Sequence, residues 1–164
     1  MPTKADFDAF YSAAYPPLVG QVFVMLGDLD EAQDVVQEAF GRASARWSRV
    51  RDEIPELWVR RLAFSLAAKR LRRRARPNLL DRLARRRTAH GIAPAGQQLG
   101  TNLVIARLPA SYRAVLALHY IAELPVDEIA SLLRLPSEAV AVHLEHARKT
   151  LNRRLSERQG ASHA

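Results

Sequence analysis

The sequence predicts an all-α protein made of two small helical domains that a flexible linker joins. Apolar residues recur at spacings of three and four through most of the chain, as on one face of a helix. We find no turn-bounded segment of alternating polar and apolar residues, which argues against strands. Residues 88–100 contain three glycines and a proline and no sustained period, as expected of a linker. The predicted organisation is a helical domain over residues 1–87, a linker over 88–100, a second helical domain over 101–155 and a polar tail over 156–164.

The composition narrows the class of protein. The chain has 164 residues, of which 48% are hydrophobic, enough to build two small cores. It has no cysteine, which excludes a disulfide framework, a thiolate metal site and a thiol nucleophile. The longest strongly apolar run, Leu18 to Leu26, is too short to cross a bilayer, and the first ten residues carry acids where a signal peptide needs apolar residues. We therefore expect a soluble, cytoplasmic protein without membrane insertion.

The positive charge is concentrated in one segment, Lys69 to Arg87, which we call the basic segment. It contains ten cations and one anion, whereas the whole chain carries a net charge of +8, so the remainder is almost neutral. Cations at this density repel one another and need either a polyanionic partner or full solvation. A nucleic-acid contact and a solvated arm both remain open at this point.

The N-terminal domain is predicted to contain three main helices. The first carries an apolar stripe that continues past two prolines and ends at Gly27. Asp28 or Asp30 can cap the second, which runs from Glu31 to Arg46. The third begins near Pro55, because proline suits the first turn of a helix, and continues into the basic segment.

The third helix has an aromatic and cationic surface. Cations neutralise phosphates and release counterions, while aromatic rings stack on unpaired bases, so this surface suits nucleic acid. The alternative, that Trp58 and Phe64 belong to the core and only the cations are exposed, stays open. The side chains concerned are Trp58, Arg60, Arg61, Phe64, Lys69, Arg72 and Arg73.

The C-terminal domain has the spacing of a helix-turn-helix. Leu108-Pro109 separates two helices, and a short helix from Val126 to Leu133 is followed by the turn Arg134 to Pro136 and a long helix from Ser137 to Leu155. Other small helical bundles show the same spacing. We expect the polar tail that follows to be disordered.

No arrangement of residues indicates catalysis or a cofactor. His143 and His146 lie one turn apart, but a zinc site needs a third ligand on the same side and nothing obvious provides one. We find no glycine-rich phosphate loop, no Ser-His-Asp arrangement and no pair of acids in an apolar setting. The sequence therefore predicts a protein that is not an enzyme and has no metal or cofactor.

Four short motifs together resemble the extracytoplasmic-function group of bacterial sigma factors. They keep the family's order and spacing and cover nearly the whole chain except the linker and the tail. The resemblance implies a sigma region 2, a bundle of three to four helices, and a sigma region 4, a helix-turn-helix domain. The motifs are AQDVVQEAF at residues 32–40, WVRRLA at 58–63, Leu108-Pro109 with Arg113, and EIA at 128–130.

The resemblance assigns roles to three groups of residues. Asp34, Gln37 and Glu38 fall where the family contacts the clamp helices of core RNA polymerase; without the resemblance, a solvated face would be preferred for them. The helix of region 2 that bears Trp58 falls where the family opens and reads the −10 promoter element. The −10 residues are Trp58, Arg60, Arg61, Ser65, Lys69, Arg72 and Arg73, and the candidates for a −35 DNA or partner contact are Ser137, Ala139, Ala141, Val142, His143, His146 and Arg148.

The sequence also departs from the family's pattern. Ser65 stands where the family commonly has asparagine, and Lys69 where it commonly has aspartate, so the resemblance implies general DNA affinity and leaves −10 specificity open. From Pro136 to Ala147, where a helix-turn-helix reads bases, no lysine or arginine occurs, and Glu138 and Glu145 repel phosphates.

The expected function is that of a sigma factor that binds core polymerase and directs promoter recognition and transcription initiation. The expected partners are core RNA polymerase, promoter DNA and an anti-sigma factor or other regulator, with association to the nucleoid when polymerase is bound. One alternative is a sigma-derived regulatory protein that binds polymerase or another protein without reading the −35 element. A stand-alone helix-turn-helix repressor is a further alternative, which the absence of a basic recognition helix disfavours.

Overall fold

The structure is a computed structural model, in which residues 3–75 and 104–161 are described. The described residues are helical, with no strand, which confirms the predicted all-α class. The predicted linker and residues 76–87 of the basic segment lie outside the described residues. The elements are α1 (Lys4–Leu26), α2 (Leu29–Ala45), α3 (Trp47–Val50), α4 (Pro55–Ala75), α5 (Ala110–Leu116), a π-helical turn (Ala117–Ile121), α6 (Val126–Leu133) and α7 (Ser137–Ala161).

Both ends of α1 are fixed by local chemistry. At the N-terminus, Thr3 and Asp6 form a reciprocal capping box, and these hydrogen bonds lower the pKa of the Asp6 carboxyl below its ordinary value. Pro16 and Pro17 lie inside the helix without ending it. The helix ends at Gly27, whose φ of 69° lies in the left-handed region that favours glycine.

The N-terminal bundle is formed by α1, α2 and α4, which pack on one another. Asp28 caps α2, because its side chain accepts a hydrogen bond of 3.0 Å from the Glu31 backbone N–H. The buried face of α2 follows the predicted period. The short helix α3 was not predicted, since four residues are too few to show a helical period. The buried residues of α2 are Ala32, Val35, Val36, Ala39, Phe40 and Ala43.

In the C-terminal domain, α5 and α6 pack on α7, the second helix of the helix-turn-helix. The expectation that the polar tail is disordered is wrong for residues 156–161, because α7 continues to Ala161. Extending an existing helix costs far less than nucleating one, and Arg158 in the last turn interacts favourably with the helix dipole.

The two domains are packed against each other. Helix α1 contacts α5 and the π-helical turn, and α4 contacts α6. The five consecutive residues Val22 to Leu26 are each at most 9% exposed, so the C-terminal part of α1 is covered on every side. The buried residues of both domains consequently form one continuous hydrophobic core.

By length and composition alone, α1 is long and apolar enough to cross a membrane. The helix is longer than the strongly apolar run from Leu18 to Leu26 that it contains. Its apolar C-terminal part, however, is buried against α2, α4, α5 and the π-helical turn. This is the environment of a core helix in a globular protein.

The turn between α6 and α7 contains a strained residue. Arg134 ends α6 with φ 54° and ψ 47°, a left-handed conformation that a residue with a Cβ atom adopts at a cost. We expect Arg134→Gly to raise the free energy of unfolding by about 0.5–1 kcal/mol, measured by chemical denaturation. As a control, Arg153→Gly in the interior of α7 should lower it by about 1 kcal/mol. A loss of stability in the first variant would contradict this interpretation of the turn.

Candidate polymerase and promoter interfaces

The three residues assigned to polymerase binding lie together on the exposed side of α2. Asp34, Gln37 and Glu38 are all exposed, at spacings of three and four residues, opposite the buried face of the helix. Asp34 lies 3.9 Å from a guanidinium nitrogen of Arg70, and Glu38 forms an ion pair of 2.6 Å with Arg42. Such exposed pairs are weak, so these carboxylates remain available to a basic partner.

Tyr15 of α1 adjoins this face and was not predicted to belong to it. Burial raises the pKa of its hydroxyl above the ordinary value, with smaller contributions from Tyr11 and from the Asp34 carboxylate. Its ring centroid lies 5.8 Å from that of Phe40 in α2. A half-buried aromatic ring beside an acidic face provides apolar area to a docking helix.

On α4, most of the assigned −10 residues share one face. Trp58, Arg61, Ser65, Lys69 and Arg72 are separated by three, four or seven residues, and this spacing brings them to the same side of a helix.

Three other side chains of α4, those of Arg60, Phe64 and Arg73, lie off this shared face. Arg73 lies beside the shared face and is exposed, whereas Arg60 points elsewhere, into a groove that Phe10 and Val59 also line. Phe64 is fully buried, so the interpretation of this side chain as core is correct. Trp58 is partly buried against the core and partly exposed, which combines both interpretations made for it.

The shared face of α4 points toward the C-terminal domain. A guanidinium nitrogen of Arg72 donates a hydrogen bond to the backbone carbonyl of Leu132 in α6. Arg61 and Ser65 line a cleft of about 450 Å³. The C-terminal domain contributes Leu124, Asp127, Glu128, Ser131 and Leu132 to the same cleft.

Two arginines meet at the C-terminal end of α1, a feature that the sequence did not reveal. Arg74 and Arg113 both donate to the backbone carbonyl of Leu26, at 3.1 Å and 3.5 Å respectively, and Arg74 also pairs with Glu31. Arg113 donates in addition to the carbonyl of Leu108 at 2.9 Å. Burial, and to a smaller extent the Arg74 charge, lowers the pKa of the Arg113 guanidinium. The carbonyls at a helix C-terminus carry partial negative charge and favour cations.

The candidate −35 residues do not form one exposed surface. Ser137 donates a hydrogen bond of 2.7 Å to Asp127, and Arg148 is bonded to the Tyr120 hydroxyl and lies 5.5 Å from its ring centroid. His143 turns inward to Tyr112, and its Nδ1 is buried without a hydrogen-bond partner in the described part of the chain.

Between Pro136 and Ala147, the exposed side of α7 therefore carries small, apolar and acidic residues and one histidine. Ala141 and His146 are exposed, whereas Ala139 is partly buried. Val142 is 49% exposed, and Glu145 beside it is paired with Lys149 at 2.8 Å. This surface has little of the positive charge that phosphates attract.

Residues 3–75 and 104–161 contain no group of three histidine, aspartate or glutamate side chains that could hold a metal ion.

Two family models match this chain, in the order in which its domains occur. Sigma-70 region 2 matches residues 10–77, and Sigma-70, region 4 matches residues 102–151. The chain belongs to the sigma-70 family. It is 29% identical to the ECF RNA polymerase sigma factor SigW of Bacillus subtilis (strain 168) over 171 residues, which cover 93% of this chain and 91% of that relative.

Membership of the family establishes the general function. The N-terminal bundle is sigma region 2 and the C-terminal domain is sigma region 4. As an extracytoplasmic-function sigma factor, the protein acts in transcription initiation with core RNA polymerase and promoter DNA as partners, and factors of this group typically have anti-sigma partners. Sigma factors in general are not enzymes, and those of this group are soluble cytoplasmic proteins.

Proposed function

We propose that this sigma factor binds core polymerase through the acidic face of α2 and binds the −10 element through the aromatic and cationic face of α4. The observation that carries the proposal is that two faces of opposite chemistry lie on neighbouring helices of one bundle. Asp34, Gln37 and Glu38 form the first, and Arg70 of α4 approaches Asp34 at 3.9 Å. One domain thus offers an anionic surface to protein and a cationic surface to DNA.

The polymerase contact is an electrostatic and apolar docking. Asp34 and Glu38 attract a basic partner helix, and the amide of Gln37 supplies a hydrogen-bonding group that needs no counter-charge. Tyr15 adds apolar area at the edge, where its ring is already partly desolvated. We infer that complementary charge speeds and orients the encounter with polymerase. Apolar contact with the Tyr15 ring then slows dissociation of the complex.

The promoter contact combines phosphate neutralisation with stacking. Arg61, Lys69, Arg72 and Arg73 supply four positive charges along one side of α4, and the exposed part of Trp58 offers a ring surface to an unpaired base. Together, these phosphate and stacking contacts stabilise the separated strands of the promoter DNA. The chain contributes no catalytic residue to RNA synthesis, which is the chemistry of the polymerase, and when bound to polymerase it resides at the nucleoid.

A second candidate function is favoured by the surface of region 4. The exposed side of α7 carries Ala141 and Val142 with no cation from Pro136 to Ala147, and a surface of this kind suits protein more than a DNA groove. In that case region 4 acts as a contact for polymerase or a regulator and does not read the −35 element.

Promoter scrambling distinguishes the two functions of region 4. On promoters found by mapping transcript starts, we expect scrambling of the −10 element to abolish transcription, because in the proposed function α4 holds the strands open at this element and opening depends on the base steps that scrambling changes. Scrambling the −35 element should lower it by less than about tenfold, the effect of losing roughly 1.4 kcal/mol of binding. A −35 effect as large as the −10 effect would show that α7 reads DNA in spite of its composition.

A further inference from the structure

We propose that region 4 carries a binding site for a small ligand with adjacent phosphate groups. The site is a cleft of about 660 Å³ between the C-terminal end of α7 and the segment that precedes α5, and we call it the arginine cleft. None of its described lining residues belongs to α2 or α4, so the inference does not rest on the function proposed above. The described lining residues are Val104, Arg107, Arg153, Arg154, Glu157 and Arg158.

The arginine cleft concentrates the positive charge of region 4. Residues 104–161 contain eight lysine and arginine side chains, and four of them line this cleft, where Glu157 is the one carboxylate among the described lining residues. At the other end of α7, Pro136 to Ala147 contain no lysine or arginine. Ser137 and Arg153 lie about 24 Å apart along the helix axis. The cationic end of α7 is therefore separate from the end that would enter a DNA groove.

The helix dipole explains only part of this charge. A cation in the last turn of a helix is stabilised by the dipole, and in α7 that cation is Arg158. Arg153 and Arg154 lie more than a turn earlier, and Arg107 belongs to a different segment. Cations from two segments that converge on one recess repel one another, and an anion bound between them relieves this repulsion.

The wall that carries Arg107 is held in place by contacts within region 4. Val104 is only 8% exposed, which anchors the segment in the core. A guanidinium nitrogen of Arg113 donates to the Ala106 carbonyl at 3.4 Å. Nη1 of Arg154 donates to the backbone carbonyl of Arg107 at 3.3 Å and ties the end of α7 to this segment. Because the cleft is already formed, a ligand does not have to order its walls.

The chemistry of the lining suits phosphate. A guanidinium group presents several N–H donors in a planar fork, which matches two oxygens of one phosphate. A single phosphate has too few oxygens to engage four such groups, whereas adjacent phosphates bring enough for all of them. We therefore assign the ligand as a chain of adjacent phosphates, either free or carried by a nucleoside.

The size of the arginine cleft favours a small ligand over a nucleic-acid strand. Its volume lies within the range of about 300–1,000 Å³ that is usual for small-molecule sites. The aliphatic stems of the arginines and the side chain of Val104 add apolar surface, and guanidinium planes stack on aromatic rings, so a nucleobase could pack here. A single strand instead needs a cationic groove that follows its backbone over several nucleotides.

Chemical modification of arginines locates the bound ligand. The full-length protein is treated with phenylglyoxal, which modifies accessible guanidinium groups, with and without sodium tripolyphosphate. At about ten times the dissociation constant, tripolyphosphate should slow modification of Arg107 and Arg153 about tenfold, since few sites are then unoccupied. Arg49 and Arg51, which are exposed in region 2, should react as before. Protection confined to arginines of the basic segment would overturn the site.

Neutral substitutions test the contribution of the arginines to affinity. We expect Arg107→Gln/Arg153→Gln to weaken tripolyphosphate binding at least about tenfold in calorimetry, because it removes two groups that make charge-assisted hydrogen bonds. Both side chains are exposed, so the fold should tolerate the change, which thermal unfolding checks. Glu157→Gln removes a carboxylate from the lining and should tighten binding by about twofold.

The matched control is Arg85→Gln/Arg86→Gln, which removes the same charge from the basic segment. At an ionic strength of about 0.15 M, where distant exposed charges are screened, it should leave the affinity within about twofold of the wild type. Unchanged affinity in both cleft variants, or a loss of affinity in the control alone, would overturn the proposal.

Other ligands identify the source of the phosphate chain. Orthophosphate should bind at least about tenfold more weakly than tripolyphosphate, because it engages fewer guanidinium groups. Tighter binding of adenosine triphosphate than of tripolyphosphate would support a nucleotide, and equal binding would support the phosphate chain alone. Equal affinities of orthophosphate and tripolyphosphate would contradict the assignment. A short single-stranded oligonucleotide that protects Arg107 and Arg153 when tripolyphosphate does not would overturn it in favour of a nucleic-acid contact.

Discussion

Replacing Arg72 and Arg73 with glutamate is expected to abolish promoter-dependent transcription. Each reversal removes a cation from the DNA-directed side of α4 and puts an anion in its place, so phosphates that were attracted are repelled. We expect the yield of specific transcripts to fall by at least about a hundredfold, while binding to core polymerase changes little. Run-off transcription with purified core polymerase measures the effect.

The matched control for this variant is Arg49→Glu/Arg51→Glu, two reversals at exposed positions around α3 in the same domain. It changes the net charge equally but leaves α4 intact, so transcription should be largely kept. The Arg72 change also removes the hydrogen bond to Leu132, which by itself would free α4. Full activity in the Arg72/Arg73 variant would contradict the DNA role of this face.

The second large effect concerns the acidic face of α2. Asp34→Arg/Glu38→Arg should weaken binding to core polymerase by at least about a hundredfold, because both changes set like charges against a basic partner helix. The side chains are exposed, so the fold should tolerate the change. Titration by gel filtration or fluorescence measures the affinity, and thermal unfolding checks that the variant is folded.

Asp52→Arg is the control for the polymerase contact, since it reverses an exposed acid away from α2. It should bind polymerase as the wild type does. If the Asp34/Glu38 variant also bound with unchanged affinity, these acids would be a solvated surface and the contact would have to lie elsewhere on region 2.

The helices of region 2 could be predicted because their signals are local. A helical period marks the buried face of α2, Gly27 and Asp28 mark the boundary between α1 and α2, and Pro55 marks the start of α4. The same period placed Asp34, Gln37 and Glu38 on one exposed face. Their role in binding polymerase stays a prediction.

The contacts between the domains could not be predicted, because they join residues far apart in sequence. Arg113 reaches the carbonyl of Leu26 across 87 positions, and no local pattern distinguishes it from a surface arginine. One signal was present: the segment Val22 to Leu26 is apolar on every side, so a single bundle could cover only part of it. The inward turn of His143 likewise depends on Tyr112 from another helix.

The most direct test of the central claim is to map transcript starts made by core polymerase on genomic DNA with and without this protein. A sigma factor that directs initiation should produce a defined set of starts that depends on its presence, shares a −10 element and is lost in the Arg72→Glu/Arg73→Glu variant. Tight binding to core polymerase without any specific start would contradict this account and establish instead a sigma-derived protein that binds polymerase without initiating transcription.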